Sequence, residues 1–260
     1  MIIGVSTACF YPEETERALC RCGEMGVQST EIFFNAPSEL KGSLLHELVR
    51  IRSAYDMRIV SVHPFTSCIE PYLLFSGYER RYRDGLDFYL RYAEAASALG
   101  AGIVVLHGGR DGDQALSPER YTERFLELDR LLSREGVRLA QENVNGYAAC
   151  RPEFLRSMRR YSQDRVRFVF DVKQAVRAGY APTEILDAMG PCVAHVHLSD
   201  HNADKDCLLP GRGSFDFAGL FHRLRQMKYR GDVLVEVYRS AFLQPEELTG
   251  SWRWLQNRCV

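Results

Sequence analysis

The chain has 260 residues, 46% hydrophobic and 26% charged, with 33 lysines and arginines against 34 aspartates and glutamates. This is ordinary globular composition: it excludes a disordered or membrane-embedded protein, and a net charge of −1 offers no global field for nucleic acid or an anionic bilayer. The length matches one eight-stranded α/β barrel of about 250 residues, so a single domain over residues 1–260 is expected.

Apolar, β-rich runs alternate with amphipathic stretches from one end to the other, with no linker or shift in composition between them. The segment MIIGVSTACFYPEE has no basic n-region, so no secretory signal is expected and the protein is read as cytoplasmic. A strand over Ile2–Ser6 leads to a helix over Glu13–Met25, a strand over Thr30–Phe34 and a helix over Ser38–Asp56. Then come strand Arg58–His63, helix Tyr78–Leu99, strand Gly102–His107 and helix Pro118–Glu135, the last opened by Ser117-Pro118. Strand Arg138–Glu142, helix Pro152–Tyr161, strand Arg167–Asp171 and helix Pro182–Met189 follow. Strand Val193–His197, helix Phe217–Met227 and strand Asp232–Glu236 complete the alternation, and a helix over Pro245–Val260 carries Trp252 and Trp254 as packing residues. Runs such as IVVL and VRFVF are apolar on both faces, as strands of a parallel sheet covered by helices must be. The eight cysteines contain no C-x-x-C pair and read as small buried hydrophobes or incidental thiols, not as a zinc site or a disulfide framework.

The ends of these runs decide between a closed barrel and an open doubly wound sheet. RIVSVH, GIVVLH, VRLAQE, VRFVFD, VAHVH and DVLVE close on His63, His107, Glu142, Asp171, His197 and Glu236. An open sheet gathers its functional residues at one switch point and carries a glycine-rich turn after its first strand, whereas Ser6-Thr7-Ala8-Cys9 has no glycine. Polar ends on many strands therefore predict a single (β/α)8 TIM barrel with its site at one mouth. Glu142, Asp171, His197 and Glu236 sit on consecutive strands, about one βα unit apart. Three neighbouring carboxylates resist joint ionisation unless a cation joins them, and one nitrogen among oxygens suits Mn²⁺, Mg²⁺ or Co²⁺ as well as Zn²⁺. One divalent ion held by these residues is expected. His195 is placed on the helix-facing side of its strand, opposite His197. Phe10, Phe34, Phe65 and Tyr238 are candidates for an apolar wall.

The segments SVHPF, VVLHGG, AQENVN, FVFDVKQAVRAG, HVHLSDH, LLPGRGSFDF and LVEVY occur in this order over nearly the whole chain, and together they resemble the xylose-isomerase-like barrel superfamily. That superfamily includes sugar and sugar-phosphate isomerases and epimerases, inosose dehydratases and multi-zinc apurinic endonucleases. The resemblance implies an isomerase or epimerase of a small sugar or sugar phosphate, moving a proton through an enediolate between the two glutamates. An inosose-dehydratase-like lyase, a non-catalytic sugar-binding barrel and an endonuclease-like phosphodiesterase are the alternatives. Where the endonucleases and several epimerases have histidine, three residues after the aspartate, this chain has Gln174. With no D-x-H between His197 and Gly211 either, a three-metal site and a nucleic-acid partner are disfavoured. His63, His107 and Gln174 are then assigned to substrate hydroxyls. Arg212, flanked by Gly211 and Gly213, is assigned to a phosphate or carboxylate together with Lys173, Lys205 and Arg239. A carbohydrate is the expected partner, a membrane is not, and a homo-oligomer stays open.

Overall fold

The structure, a computed structural model, describes residues 1–112 and 116–259. Its strands are β1 (Ile3–Ser6), β2 (Ser29–Phe33), β3 (Arg58–His63), β4 (Ile103–Leu106), β5 (Arg138–Glu142), β6 (Phe168–Asp171), β7 (Val193–Leu198) and β8 (Val233–Val235). Each pairs in parallel with the next, and β1 pairs with β8 through Ile3↔Val233, Gly4↔Leu234 and Val5↔Val235, closing the predicted barrel. The helices are α1 (Thr15–Glu24), α2 (Gly42–Ala54), α3 (Glu70–Leu73), α4 (Glu79–Leu99), α5 (Pro118–Leu132), α6 (Pro152–Ser162), α7 (Val172–Arg177), α8 (Pro182–Met189), α9 (Phe217–Gln226) and α10 (Pro245–Cys259). Among the described residues no helix is long and apolar enough to cross a membrane.

Strand ends differ from expectation by a residue or two, because the ladder continues past the regular strand as single bonds. Phe34 N–H donates to His63 O at 3.0 Å and Glu236 N–H donates to Leu198 O at 2.9 Å. The short helices α3 and α7 escape a periodicity reading, having too few turns to repeat an apolar face. Helix starts follow their caps. Ser117 Oγ accepts from Arg120 N–H at 3.2 Å ahead of α5, and Asp216 Oδ1 accepts from Gly219 N–H at 2.9 Å ahead of α9. Trp252 is buried as expected, and its Nε1 donates to Ile3 O at 2.8 Å, fastening α10 to β1.

The main core lies between strands and helices, and it includes Leu19, Ile32, Tyr89, Tyr92, Phe168, Phe170 and Leu224. Inside the barrel Val105, Ala140 and Val169 form a small cluster of their own with Ile103 against it. Ala140 and Val169 stand two residues before Glu142 and Asp171, and residues two apart on a strand share a face. The site is therefore built directly above this apolar plug. A Leu or Phe of the main core truncated to Ala should cost roughly 2–5 kcal/mol.

Candidate metal and acid–base site

Glu142 and Asp171 end β5 and β6, His197 is the last but one residue of β7, and Glu236 directly follows β8. Within this set the potential ligand atoms all lie within 4.8 Å of one another. His197 Nδ1 is 3.0 Å from Glu236 Oε2, 3.4 Å from Glu142 Oε1 and 3.8 Å from Asp171 Oδ2. Local bonds hold these ends in place. Asn143 clamps the backbone of Asp171, donating to its carbonyl at 2.9 Å and accepting from its N–H at 2.8 Å. Asp171 Oδ1 caps α7 by accepting from Gln174 N–H at 2.9 Å, which leaves Oδ2 for the site.

His63 and His107 join Glu142 from the far side. His107 Nε2 is 3.0 Å from His63 Nε2 and 3.0 Å from Glu142 Oε2, and His63 Nε2 is 3.6 Å from the same oxygen. His63 stacks on Phe33 at a centroid distance of 4.5 Å. The turn after His107 is fixed from behind: Gln141 Nε2 donates to His107 O at 2.8 Å, and Tyr121 OH donates to Gln141 Oε1 at 2.7 Å. Gly108 is required there, having φ of +89° and space for a Cβ only 1.8 Å from Tyr121 OH.

Two residues that the sequence reading overlooked or misplaced complete the site. Lys173, expected to receive a substrate phosphate or carboxylate, is buried and paired within the protein, with Nζ 2.7 Å from Asp171 Oδ2 and 3.1 Å from Glu236 Oε1. Glu31, from the middle of β2, is fully buried inside the barrel, where Oε2 lies 3.1 Å from His197 Nε2 and accepts from Ser61 Oγ at 2.7 Å. The signal for Glu31 was present: a carboxylate inside STEIFF has no place among apolar neighbours unless it faces polar partners. His195 is a correction. It points into the barrel with His197, not toward the helices, because a strand's period of two places residues 195 and 197 on the same face. Its Nε2 is 3.2 Å from Ser61 Oγ.

The electrostatics follow from these contacts. Burial pushes the His197 imidazole down, but Glu236 and Glu31 hold it well above the ordinary histidine range. Burial pushes Glu142 up, and the imidazoles of His107, His197 and His63 beside it outweigh this and bring it well below the usual carboxylate value. Glu236 is likewise pushed up by burial, yet His197 and Lys173 bring it down to about 2. Asp171 goes the other way: burial, reinforced by Glu142 and Glu236 and only partly opposed by Lys173, raises it to about 6. Burial pushes Lys173 down, and Asp171 and Glu236 keep it an ammonium.

Glu142 Oε2 and Glu236 Oε2 are buried without any aligned hydrogen-bond donor, although an imidazole nitrogen is 3.0 Å from each. Orphaned carboxylate oxygens beside an aspartate and an imidazole are what a divalent cation would satisfy, so the donor set fits one. Among the described residues two further sets bring ligand atoms equally close, His63 with His107 and Glu142, and Glu31 with His195 and His197.

A cavity of about 690 Å³ opens above the cluster, reaching His63, His107, Glu142, Lys173, Gln174 and Glu236 and walled by Tyr11, Phe33, Phe65 and Tyr238. Phe65 and Tyr238 occupy the wall as expected, whereas Phe10 and Phe34 are core residues, and Phe33, one position away on the other face of its strand, stands in the wall instead. Gln174 borders the cavity while its Oε1 accepts from Asn145 N–H at 3.1 Å. Arg212 is not brought to this group; its side chain is 62% exposed and its guanidinium is 3.7 Å from Glu247. Its glycine-flanked loop is tied down by Asp200, whose carboxylate accepts from the N–H groups of Gly211, Gly213 and Phe215, each at 2.9 Å. Arg239 donates to Phe242 O at 2.7 Å, and Lys205 borders a separate cavity.

The family model for xylose isomerase-like TIM barrels matches residues 20–258. The chain belongs to this family. Among its relatives is an uncharacterised protein of Methanocaldococcus jannaschii, 25% identical over 256 residues, which span 91% of this chain and 83% of that one. A fructoselysine 3-epimerase of Escherichia coli O157:H7 is 22% identical over 244 residues, with 88% of each chain covered. Among solved structures, the D-psicose 3-epimerase of Clostridium cellulolyticum H10, crystallised with D-tagatose, superposes with a TM-score of 0.81 at 14% identity, covering 100% of this chain and 99% of that one.

Proposed function

We propose that this xylose isomerase-like protein is a divalent-metal-dependent epimerase or isomerase of a small sugar or sugar phosphate, with Glu142 and Glu236 transferring the proton. The observation that carries the reading is the gathering of Glu142, Asp171, His197 and Glu236 under one cavity, with an orphaned oxygen on each glutamate. The similarity to a fructoselysine 3-epimerase supports a carbohydrate substrate.

Glu142, Asp171, His197 and Glu236 would hold the ion, and three oxygen donors with one nitrogen suit Mn²⁺, Mg²⁺, Co²⁺ or Zn²⁺. When bound, such an ion supplies Lewis acidity, making the C–H beside a sugar carbonyl easier to ionise. The rest is done by the chain's own groups. Lys173 fixes Glu236 by donating to Oε1, so the carboxylate meets substrate in one orientation. Glu142 presents Oε2 to the histidine pair, and a proton taken there can pass to His107 Nε2, 3.0 Å away. A glutamate that has taken a proton from carbon can return one as an acid, and two glutamates reaching one cavity allow removal and return on different faces. His63, His107 and Gln174 can hydrogen-bond sugar hydroxyls, while Phe33, Phe65, Tyr11 and Tyr238 shield the carbanionic stage from bulk water.

The test is solvent-deuterium incorporation into a panel of ketoses and their phosphates, with Mn²⁺ or Co²⁺ supplied. Wild-type protein should label a substrate, and Glu142→Gln and Glu236→Gln should each lower labelling by about 10²-fold or more. Labelling that survives both substitutions, or a protein that takes up no divalent ion, would count decisively against the reading.

A further inference from the structure

Below the cavity-facing group lies a second buried layer that touches no part of the cavity. Glu31 (β2) is at its centre, with Ser6 (β1) donating to Oε1 at 3.1 Å and Ser61 (β3) donating to Oε2 at 2.7 Å. From β7, His195 Nε2 lies 3.6 Å and His197 Nε2 3.1 Å from Glu31 Oε2. The register makes this layer possible. Between Thr30 and Glu31 the pairing of β2 with β3 slips, running from Thr30↔Ile59 to Glu31↔Ser61, so the carboxylate stands opposite a hydroxyl donor.

An imidazole that ligates a cation offers a lone pair from one ring nitrogen and carries its proton on the other, and whichever group accepts that proton chooses the tautomer. His197 has one nitrogen in each layer: Nδ1 among Glu142, Asp171 and Glu236, and Nε2 against Glu31. As a carboxylate Glu31 can only accept there, and a serine hydroxyl donated to each oxygen holds it in place. We infer that Glu31 is a positioning residue for His197: by accepting the Nε2 proton it commits Nδ1 to the cation and so sets the affinity of the site. This rests on the metal-binding reading above.

Metal-stripped protein titrated with Co²⁺, followed by its d–d absorption, tests both parts separately. Glu31→Gln, which keeps shape and removes charge, should weaken Co²⁺ binding about 10- to 100-fold. Ser61→Ala, which keeps the carboxylate and removes one of its donors, should weaken it by a smaller factor, about 3- to 10-fold. In Zn²⁺-loaded wild-type protein, ¹⁵N–¹H spectra should place the His197 proton on Nε2. A merely structural role for Glu31 would lower the melting temperature of the stripped protein and leave the Co²⁺ affinity and the tautomer alone, and that result overturns the proposal. Should Glu31→Gln not fold, unchanged affinity in Ser61→Ala overturns it equally. Wild-type protein that binds no Co²⁺ rejects the metal reading itself, an outcome distinct from equal binding by wild type and variants.

Discussion

Opposite ends of the same barrel hold buried carboxylates in contrasting ways. At the closed end Asp232 has every oxygen answered: Ile2 N–H donates to Oδ1 at 2.9 Å, Ser29 Oγ donates to Oδ2 at 2.7 Å, and Arg58 pairs with Oδ2. Burial pushes Asp232 up, but these donors outweigh it and hold the carboxyl below its ordinary value. At the open end Glu142 and Glu236 keep an oxygen each without a donor, crowded by a third carboxylate and by a buried ammonium. The charge of Asp232 is satisfied by the protein; on the proposed reading, the open oxygens of Glu142 and Glu236 await a cation. A buried carboxylate oxygen left without a hydrogen-bond donor is a better marker of a candidate functional place than polarity alone.

Substitutions can break or sharpen this contrast. The largest effect should come from Glu142→Gln and Glu236→Gln, each lowering deuterium exchange into substrate by about 10²–10⁴-fold. Both should still fold but melt at a somewhat lower temperature in the metal-free state, since His107, His197 and Lys173, which hold these carboxylates ionised, keep only a neutral amide as partner. If either variant instead unfolds, the open end is architectural and the contrast fails. Lys173→Met should follow, destabilising the metal-free protein by about 3 kcal/mol in urea titrations, because Asp171 and Glu236 then lose their buried cation. Added Mn²⁺ should recover part of that loss, and no recovery would mean that the ammonium and the ion act at unrelated places. Asp232→Ala should cost about 2 kcal/mol by leaving Ser29 and Ile2 N–H unanswered, with exchange activity per folded molecule unaltered. The smallest effect is a pH dependence. Because Asp232 titrates lower when folded than when unfolded, its contribution is fully present above the unfolded value of about 3.9 and is lost as the pH falls through the folded one. Asp232→Asn should therefore show a flatter loss of stability than wild type below about pH 4, and parallel acid limbs would contradict the assignment.

The barrel itself was legible because six of its eight strands announce their ends by a change from apolar to ionisable residues, and those ends mark the mouth. What the sequence did not disclose depends on facing and on folding back. Phe33 and Phe34 exchange roles across one residue, a distinction that rests on knowing which side of β2 meets the cavity. His195 shares the inward face of His197, and the period of two was misapplied to it. Lys173 lies two positions beyond a strand end, where α7 turns its side chain back over Asp171. Arg212 looked like an anion receptor because glycines flank it, yet those glycines serve a turn that Asp200 organises.

The bond from the Trp252 indole to Ile3 O, beside the Ile2 amide held by Asp232, staples the seam where first and last strands meet. A strand at the beginning of a domain is ordinarily the first to fray. Here β1 should release its amide protons to heavy water only when the whole barrel opens, in step with β5 and β6, so the seam should exchange as slowly as the middle of the sheet.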